Sequence, residues 1–406
     1  MNQTTSTLSE ATAKTDERAN KVPEAAAKPD ERVNKVPEAA AKPDERVKTR
    51  SSFRQALIRP ELGGICGTIL VFTFFLLTAS DSGMFSAAGV MNWSIVSSQF
   101  IIIAVGACLL MIAGEFDLSV GSMIGFSGMS IALLSVVFGL PMWVAIIATF
   151  ILCMGIGALS GWLVIKTGLP SFIVTLAFLF ILRGLTIFAA ITTTNKTIVG
   201  GIKEAAAGDW LAPIFGGKVF TGLFQWMGDN GWIETFERGF KKGQPVVDGI
   251  PMLMVWAVIL LIFGHWLLTK TKFGNWIFAS GGNAQAATYV GVPVNRVKIL
   301  MFMFTAFCAC VFATSQVIEF GSAGADRGLL KEFEAIISVV IGGALLTGGY
   351  GSVIGAALGA IIFGVVQQGL FFAGVESSLF RVFLGAILLF AVILNTYIRR
   401  MITGEK

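Results

Sequence analysis

Residues 118–165 contain no Asp, Glu, Lys or Arg, and residues 335–375 repeat that condition. Charge-free apolar runs of this length have few stable destinations. In a bilayer, each stretch of about 20 residues crosses the hydrocarbon once as a helix and satisfies its own backbone hydrogen bonds. Each run is therefore long enough for two spans. Gly139, Leu140 and Pro141 break the first, and Gly348, Gly349, Tyr350 and Gly351 break the second. A transmembrane β-barrel is excluded, because its strands would alternate apolar and polar residues and these runs do not. The rest of the chain agrees: 55% of its 406 residues are hydrophobic and only 14% are charged. The expected fold class is all-α, a polytopic helical membrane protein.

Reading in order gives about ten transmembrane helices: residues 62–80, 90–113, two within 118–165, 170–194, 250–268, 299–320, two within 335–375, and 379–398. Lys and Arg beside spans mark the cytoplasmic side. Arg50, Arg54 and Arg59 precede the first span and Arg399 and Arg400 follow the last, so both termini are expected in the cytoplasm. The transmembrane domain is expected over residues 60–400. The first apolar segment begins near residue 62, too late for a cleavable secretory signal. Residues 1–50 stand apart. AKTDERANKVPEAA at 13–26 returns as AKPDERVNKVPEAA at 27–40 and, truncated, at 41–48. The repeat has too few large apolar side chains to offset the entropy of ordering, and a disordered low-complexity tail is expected. Residues 195–248 fall outside, with Trp210, Trp226 and Trp232 on short interfacial helices. Asp326, Arg327, Lys331, Glu332 and Glu334 read as a second outer loop.

The segment 270–298 carries Lys270, Lys272, Arg296 and Lys298 and no acidic residue, which places it in the cytoplasm. Within it, Gly281 and Gly282 lead to Asn283, a plausible N-cap, and Gly291 and Pro293 close a short Ala-rich helix over 283–290 that includes Ala286 and Ala287. Such a helix is a docking element, or a connecting loop that happens to coil. GEFDLSVGS at 114–122 sets Asp117 and Ser119 beside the second span, either as caps of the next helix or in contact with substrate or ions. Arg183 lies deep in the fifth span, where it lines a pathway, pairs with a neighbour or snorkels outward. Gln367 and Gln368 suit a sugar route and helix contacts equally well. Glycines recur within the spans, first of all as close-packing positions. The five cysteines lack metal-ligand spacing and read as packing residues, and His265 is a lone membrane histidine. No metal site and no catalytic constellation is expected. No G-x-x-x-x-G-K-[ST] loop occurs, so any ATP used is bound elsewhere. The net charge of +5 comes from residues beside spans or in the tail and does not point to nucleic acid.

DLSVGS (117–122), PSFIVTLAFLFILRG (170–184), FGNWIFASGGNAQAATYVGVPVNRVK and VIGGALLTGGYGSVIGAALGA (340–360) together resemble the permease subunit of bacterial ATP-binding-cassette importers for monosaccharides, the ribose type. The resemblance covers residues 60–400. It implies a multi-pass inner-membrane protein that moves a monosaccharide or cyclic polyol by alternating access. The implied partners are a second permease copy (identical or paralogous), a cytoplasmic ATPase subunit that binds the ATP, and a periplasmic sugar-binding protein. No cofactor of its own is implied. Residues 281–291, with Gly281, Gly282, Asn283, Ala286, Ala287 and Gly291, would be the ATPase-coupling helix. KEFEAIISVVIGG (331–343) looks most like permeases for ribose, fructose or inositol-type ligands. Glu115 and Phe116 depart from the family's common GGIDLS. The competing reading is an ion-coupled secondary sugar transporter. It needs carboxylates within spans, and Asp117 and Glu319 are the candidates.

Overall fold

A computed structural model of the chain describes residues 61–236 and 242–376, and residues 379, 382, 383, 385, 386, 389 and 393 beyond them. The N-terminal repeat and most of the expected tenth span lie outside the described residues. Five helices open the described part: α1 (Glu61–Thr78), α2 (Ala87–Ile112), α3 (Val120–Ala132), α4 (Met142–Thr167) and α5 (Ser171–Thr194). One π turn, Leu133–Val137, lengthens α3. Helix ends follow local chemistry. Ser86 Oγ accepts the Gly89 N–H at the start of α2. Pro141 and Pro170 stand just before α4 and α5, and Gly168 closes α4 in the left-handed region at φ 68°.

The segment after α5 holds β1 (Ile198–Gly200), α6 (Ile202–Ala205), α7 (Ala212–Gly216), β2 (Lys218–Val219), α8 (Thr221–Asp229) and β3 (Ile250–Pro251). β2 pairs with β3. Trp210, Trp226 and Trp232 are exposed here, the last two in edge contact at 5.5 Å. The chain continues through α9 (Met252–Lys270), α10 (Lys272–Gly282), α11 (Ala284–Tyr289), α12 (Val294–Phe320), β4 (Ser322–Gly324), α13 (Lys331–Ile341) and α14 (Val353–Phe372). β4 runs antiparallel to β1, with Ala323 opposite Val199.

Among the described residues, seven helices are long and apolar enough to cross a membrane: α2, α3 with its π turn, α4, α5, α9, α12 and α14. This is a multi-pass membrane protein. The apolar stretch of α1, Gly63–Thr78, is shorter than those seven helices. The core is built on α2 and α12. Residues Phe100 to Ala113 of α2 and Phe302, Cys308, Cys310 and Phe312 of α12 are buried. α14, α9, α12 and α13 pack on α2, and α3 and α4 pack on α12. α4, α5 and α9 keep an apolar face outward, including Ile151, Phe180, Phe188 and Ile262. Lipid tails solvate such a face as well as protein does, so helix contacts rely on close approach.

The α4–α12 contact shows that reliance. A Cβ at Gly161 would stand 3.0 Å from the Ile299 Cα, whereas a Cβ at Gly155 would meet nothing within 4 Å. Gly161→Val is expected to cost about 1–3 kcal/mol by overpacking. Gly155→Val should be near neutral. Thermal denaturation of the two detergent-purified variants checks this, and equal midpoints would refute the packing role.

The run 335–375 does not make two full spans. Its first helix, α13, has 11 residues, about 16 Å at 1.5 Å per residue, half of a ~30 Å hydrocarbon core. α13 begins earlier than expected, at Lys331, and Lys331 Nζ lies 4.6 Å from the Phe100 ring centroid, midway along α2. The expected outer loop at 326–334 is thus corrected: the chain descends beside α3 before α13 starts. A Cβ at Gly125 would stand 2.7 Å from the Arg327 carbonyl, and Gly121 abuts Gly328 and Glu332. Glu332 and Glu334 are buried. The reason for the difference is charge matching. Lys331 pairs with Glu334, so the stretch is less costly to embed than its formula charge implies.

Candidate coupling junction

The end of the bundle that carries Lys270, Lys272, Arg296 and Lys298 gathers three interruptions of helix that are far apart in sequence. The first is the turn after α2, where Gly114 takes φ 87°. The second is the end of α10, at Gly281 and Gly282. The third is the turn at Gly348 and Gly349, with φ 79° and 73°. The Gly349 N–H donates to the Ile112 carbonyl at 2.9 Å. A Cβ on Gly281 would strike the Ile112 carbonyl and stand 2.7 Å from the Gly349 nitrogen. A Cβ on Gly348 would stand 2.7 Å from the Gly114 Cα. Three backbones therefore touch with no side chain between them.

The segment beyond Gly282 folds as its caps dictate. Asn283 Oδ1 accepts the Ala286 N–H at 3.0 Å, which starts α11. The helix is six residues, shorter than the expected 283–290, because Val290 and Gly291 already turn away, Gly291 at φ 86°. The Val292 N–H returns to the Ala287 carbonyl at 3.0 Å. Ala287 is the buried residue of the helix, while Asn283, Gln285, Ala286 and Thr288 are exposed. Tyr289 is 88% and Val290 80% exposed. Tyr289 shares the wall of a cleft with Lys298.

The turn between α2 and α3 is fastened to its neighbours. Ser171 Oγ accepts the Phe116 N–H at 3.0 Å, and Thr175 Oγ1 accepts the Leu118 N–H at 3.1 Å, both from the first turns of α5. Lys298 Nζ contacts Glu115 Oε1. Asp117 is buried, and its Oδ1 accepts from the Ser119 N–H at 2.8 Å and from Ser119 Oγ. Burial raises the Asp117 pKa, and the two Ser119 bonds oppose that rise. Asp117 thus holds the entrance to α3, while Ser119 occupies the N-cap position without capping through its own side chain.

Arg183 turns toward the bundle. Its Nη1 donates to the Ala325 carbonyl at 3.4 Å, and its charge acts on Glu332. Glu332 is 3% exposed, and its Oε2 has no hydrogen-bond partner among the described residues. Gln367 is half-buried on α14 with an unpartnered Oε1 among the described residues. The structure brings Asp117, Arg183 and Glu332 into one electrostatic neighbourhood and leaves Gln367 outside the contacts described. Sequence reasoning missed Glu332. An acidic residue at the edge of an apolar run was the available signal, and it also fits a loop.

Seven membrane-crossing helices among the described residues, joined by short intervening helices, define a polytopic membrane protein. Residues 89–392 match the family described as branched-chain amino acid transport system / permease component, and the chain belongs to that family. It is 31% identical over 365 residues to the xylose transport system permease protein XylH of Escherichia coli K12, covering 83% of this chain and 91% of that one. It is 30% identical to the ribose import permease protein RbsC of the same strain, over 72% of this chain and 81% of that one. The autoinducer 2 import system permease protein LsrD of Salmonella paratyphi B is 29% identical, over 73% and 81%. No solved structure matches this chain.

Proposed function

We propose that this chain is the membrane-spanning subunit of an ATP-driven importer in the bacterial inner membrane, carrying a monosaccharide or cyclic polyol inward by alternating access. The observation that carries the reading is the likeness to xylose, ribose and autoinducer 2 permeases along most of the chain. Two of those names give a monosaccharide as the ligand, xylose and ribose. In this reading α11 seats in a cytoplasmic ATPase subunit that binds the ATP, with Tyr289 and Val290 in the contact, and a periplasmic sugar-binding protein delivers the ligand. The permease works as a pair, with itself or a paralogue, and holds no cofactor of its own.

The bundle also contains carboxylates that an ion-coupled carrier would need, Glu332 and Glu334. Both have basic neighbours in Arg183 and Lys331, which speaks for charge balance rather than ion exchange. The test is uptake of labelled xylose, ribose, fructose and inositol into proteoliposomes, with and without the cognate ATPase and receptor. ATP-dependent uptake that requires both partners is expected. Uptake driven by an ion gradient without either would overturn the proposal.

A further inference from the structure

Glu115 and Lys298 are 183 positions apart in sequence and stand in contact at 2.5 Å, with side chains 12% and 16% exposed. Each is misplaced for its own helix. Lys298 is a cation near the N-terminal, positive end of α12, and Glu115 is an anion just past the C-terminal, negative end of α2. A residue chosen only to stabilise either helix end would carry the opposite charge or none. Neither helix end favours the charge it carries, whereas the two charges favour each other. We infer that the Glu115–Lys298 pair is a strut that carries displacement of α11 and the start of α12 into the α2–α3 turn and on to α5. Both are positioning residues for transport, and the inference rests on the coupling role proposed for α11.

The path is continuous on both sides of the strut. On one side, α11 is tied to the start of α12 by the Val292–Ala287 backbone bond, and Lys298 is the fifth residue of α12. On the other, Glu115 adjoins Phe116, whose N–H is held by Ser171, and Leu118, whose N–H is held by Thr175. Both hydroxyls belong to α5, the helix that carries Arg183. The pair is shielded enough to resist screening, since attraction between charges grows as water is excluded. It nevertheless lines an open cleft of ≈ 450 Å³, with Gln285, Thr288 and Asn295 on its walls. The cleft leaves the pair room to move as a unit. The glycine junction offers a rival route, because Gly281 touches the α2 end directly through backbone.

The test separates the two routes. Glu115→Lys, Lys298→Glu and the Glu115→Lys/Lys298→Glu exchange are reconstituted with the ATPase and receptor, and receptor-stimulated ATP hydrolysis and sugar uptake are both measured. Each single reversal is expected to keep hydrolysis while lowering uptake per ATP about tenfold, within the usual span of coupling effects. The exchange should restore most of that loss. Unchanged uptake per ATP in the single variants, or an exchange no better than either, would overturn the strut and favour the glycine route. Should a reversal fail to assemble, the neutral Glu115→Gln and Lys298→Met variants take its place. Loss of uptake per ATP in them supports the strut, and full coupling refutes it. If the unmodified protein takes up no sugar with both partners present, the transport proposal fails instead.

Discussion

Gly281→Ala is expected to abolish sugar uptake and lower the melting temperature of the purified permease, while Gly282→Ala, one residue on, leaves the fold intact. The two glycines look alike in the sequence. In the structure, an added methyl at Gly281 meets the Ile112 carbonyl and the Gly349 nitrogen, and at Gly282 it meets nothing within 4 Å. The obstacles at Gly281 are main-chain atoms, which cannot rotate away as a side chain can. The Gly349 N–H also donates to that same Ile112 carbonyl, so the methyl displaces a hydrogen bond as well as volume. Overpacking of this kind costs about 1–3 kcal/mol, and a lost bond between buried groups adds about 1–3 kcal/mol. Because the ends of α2 and α10 and the turn before α14 meet here, separation at this point also loosens the seat of α11. Detergent melting curves and proteoliposome uptake on the two variants check the contrast. Equal behaviour would mean that the three backbones do not need to touch.

The bundle was legible because lipid imposes a single solution on a long charge-free run. The α11 start was legible because Asn283 carries its own capping chemistry, and the structure has that bond. The junction was not legible. Gly114 and Gly348 read as turn or helix-break glycines and Gly281 as part of the coupling segment, and only contacts between positions roughly 70 to 230 residues apart show that each excludes a side chain for the sake of the others. The pair of Glu115 and Lys298 was hidden for the same reason, although Glu115 already stood out as a departure from the GGIDLS pattern. α13 was misplaced for a different one. Reading charge as the edge of a membrane span assumes that the charge faces water. Lys331 and Glu334 face each other, and Arg327 donates to the Ser322 carbonyl at 2.6 Å while its guanidinium lies 5.0 Å from the Phe320 ring centroid. A sequence records the charges and not their pairing.

Glu332 is buried in the same stretch, and its loss should also be felt inside the bundle. Its carboxylate lies against Gly121 at the start of α3, where free backbone N–H groups and the positive end of the helix dipole favour an anion. Arg183 adds its charge from α5. Glu332→Ala removes the charge that Arg183 and the start of α3 favour and leaves a cavity, so a loss of about 0.5–3 kcal/mol is expected. Glu332→Gln keeps the shape and should cost less. Arg183→Gln alone strands Glu332 among the carboxylates of Asp117 and Glu334, which also act on it. The informative variant is therefore the double Arg183→Gln/Glu332→Gln. If the two charges answer each other, the double is less destabilised than the sum of the singles by at least about 0.5 kcal/mol. Detergent melting of the four proteins measures the difference. Strict additivity would mean that Arg183 serves something other than Glu332, and its place halfway along α5 would then point to the transport route itself.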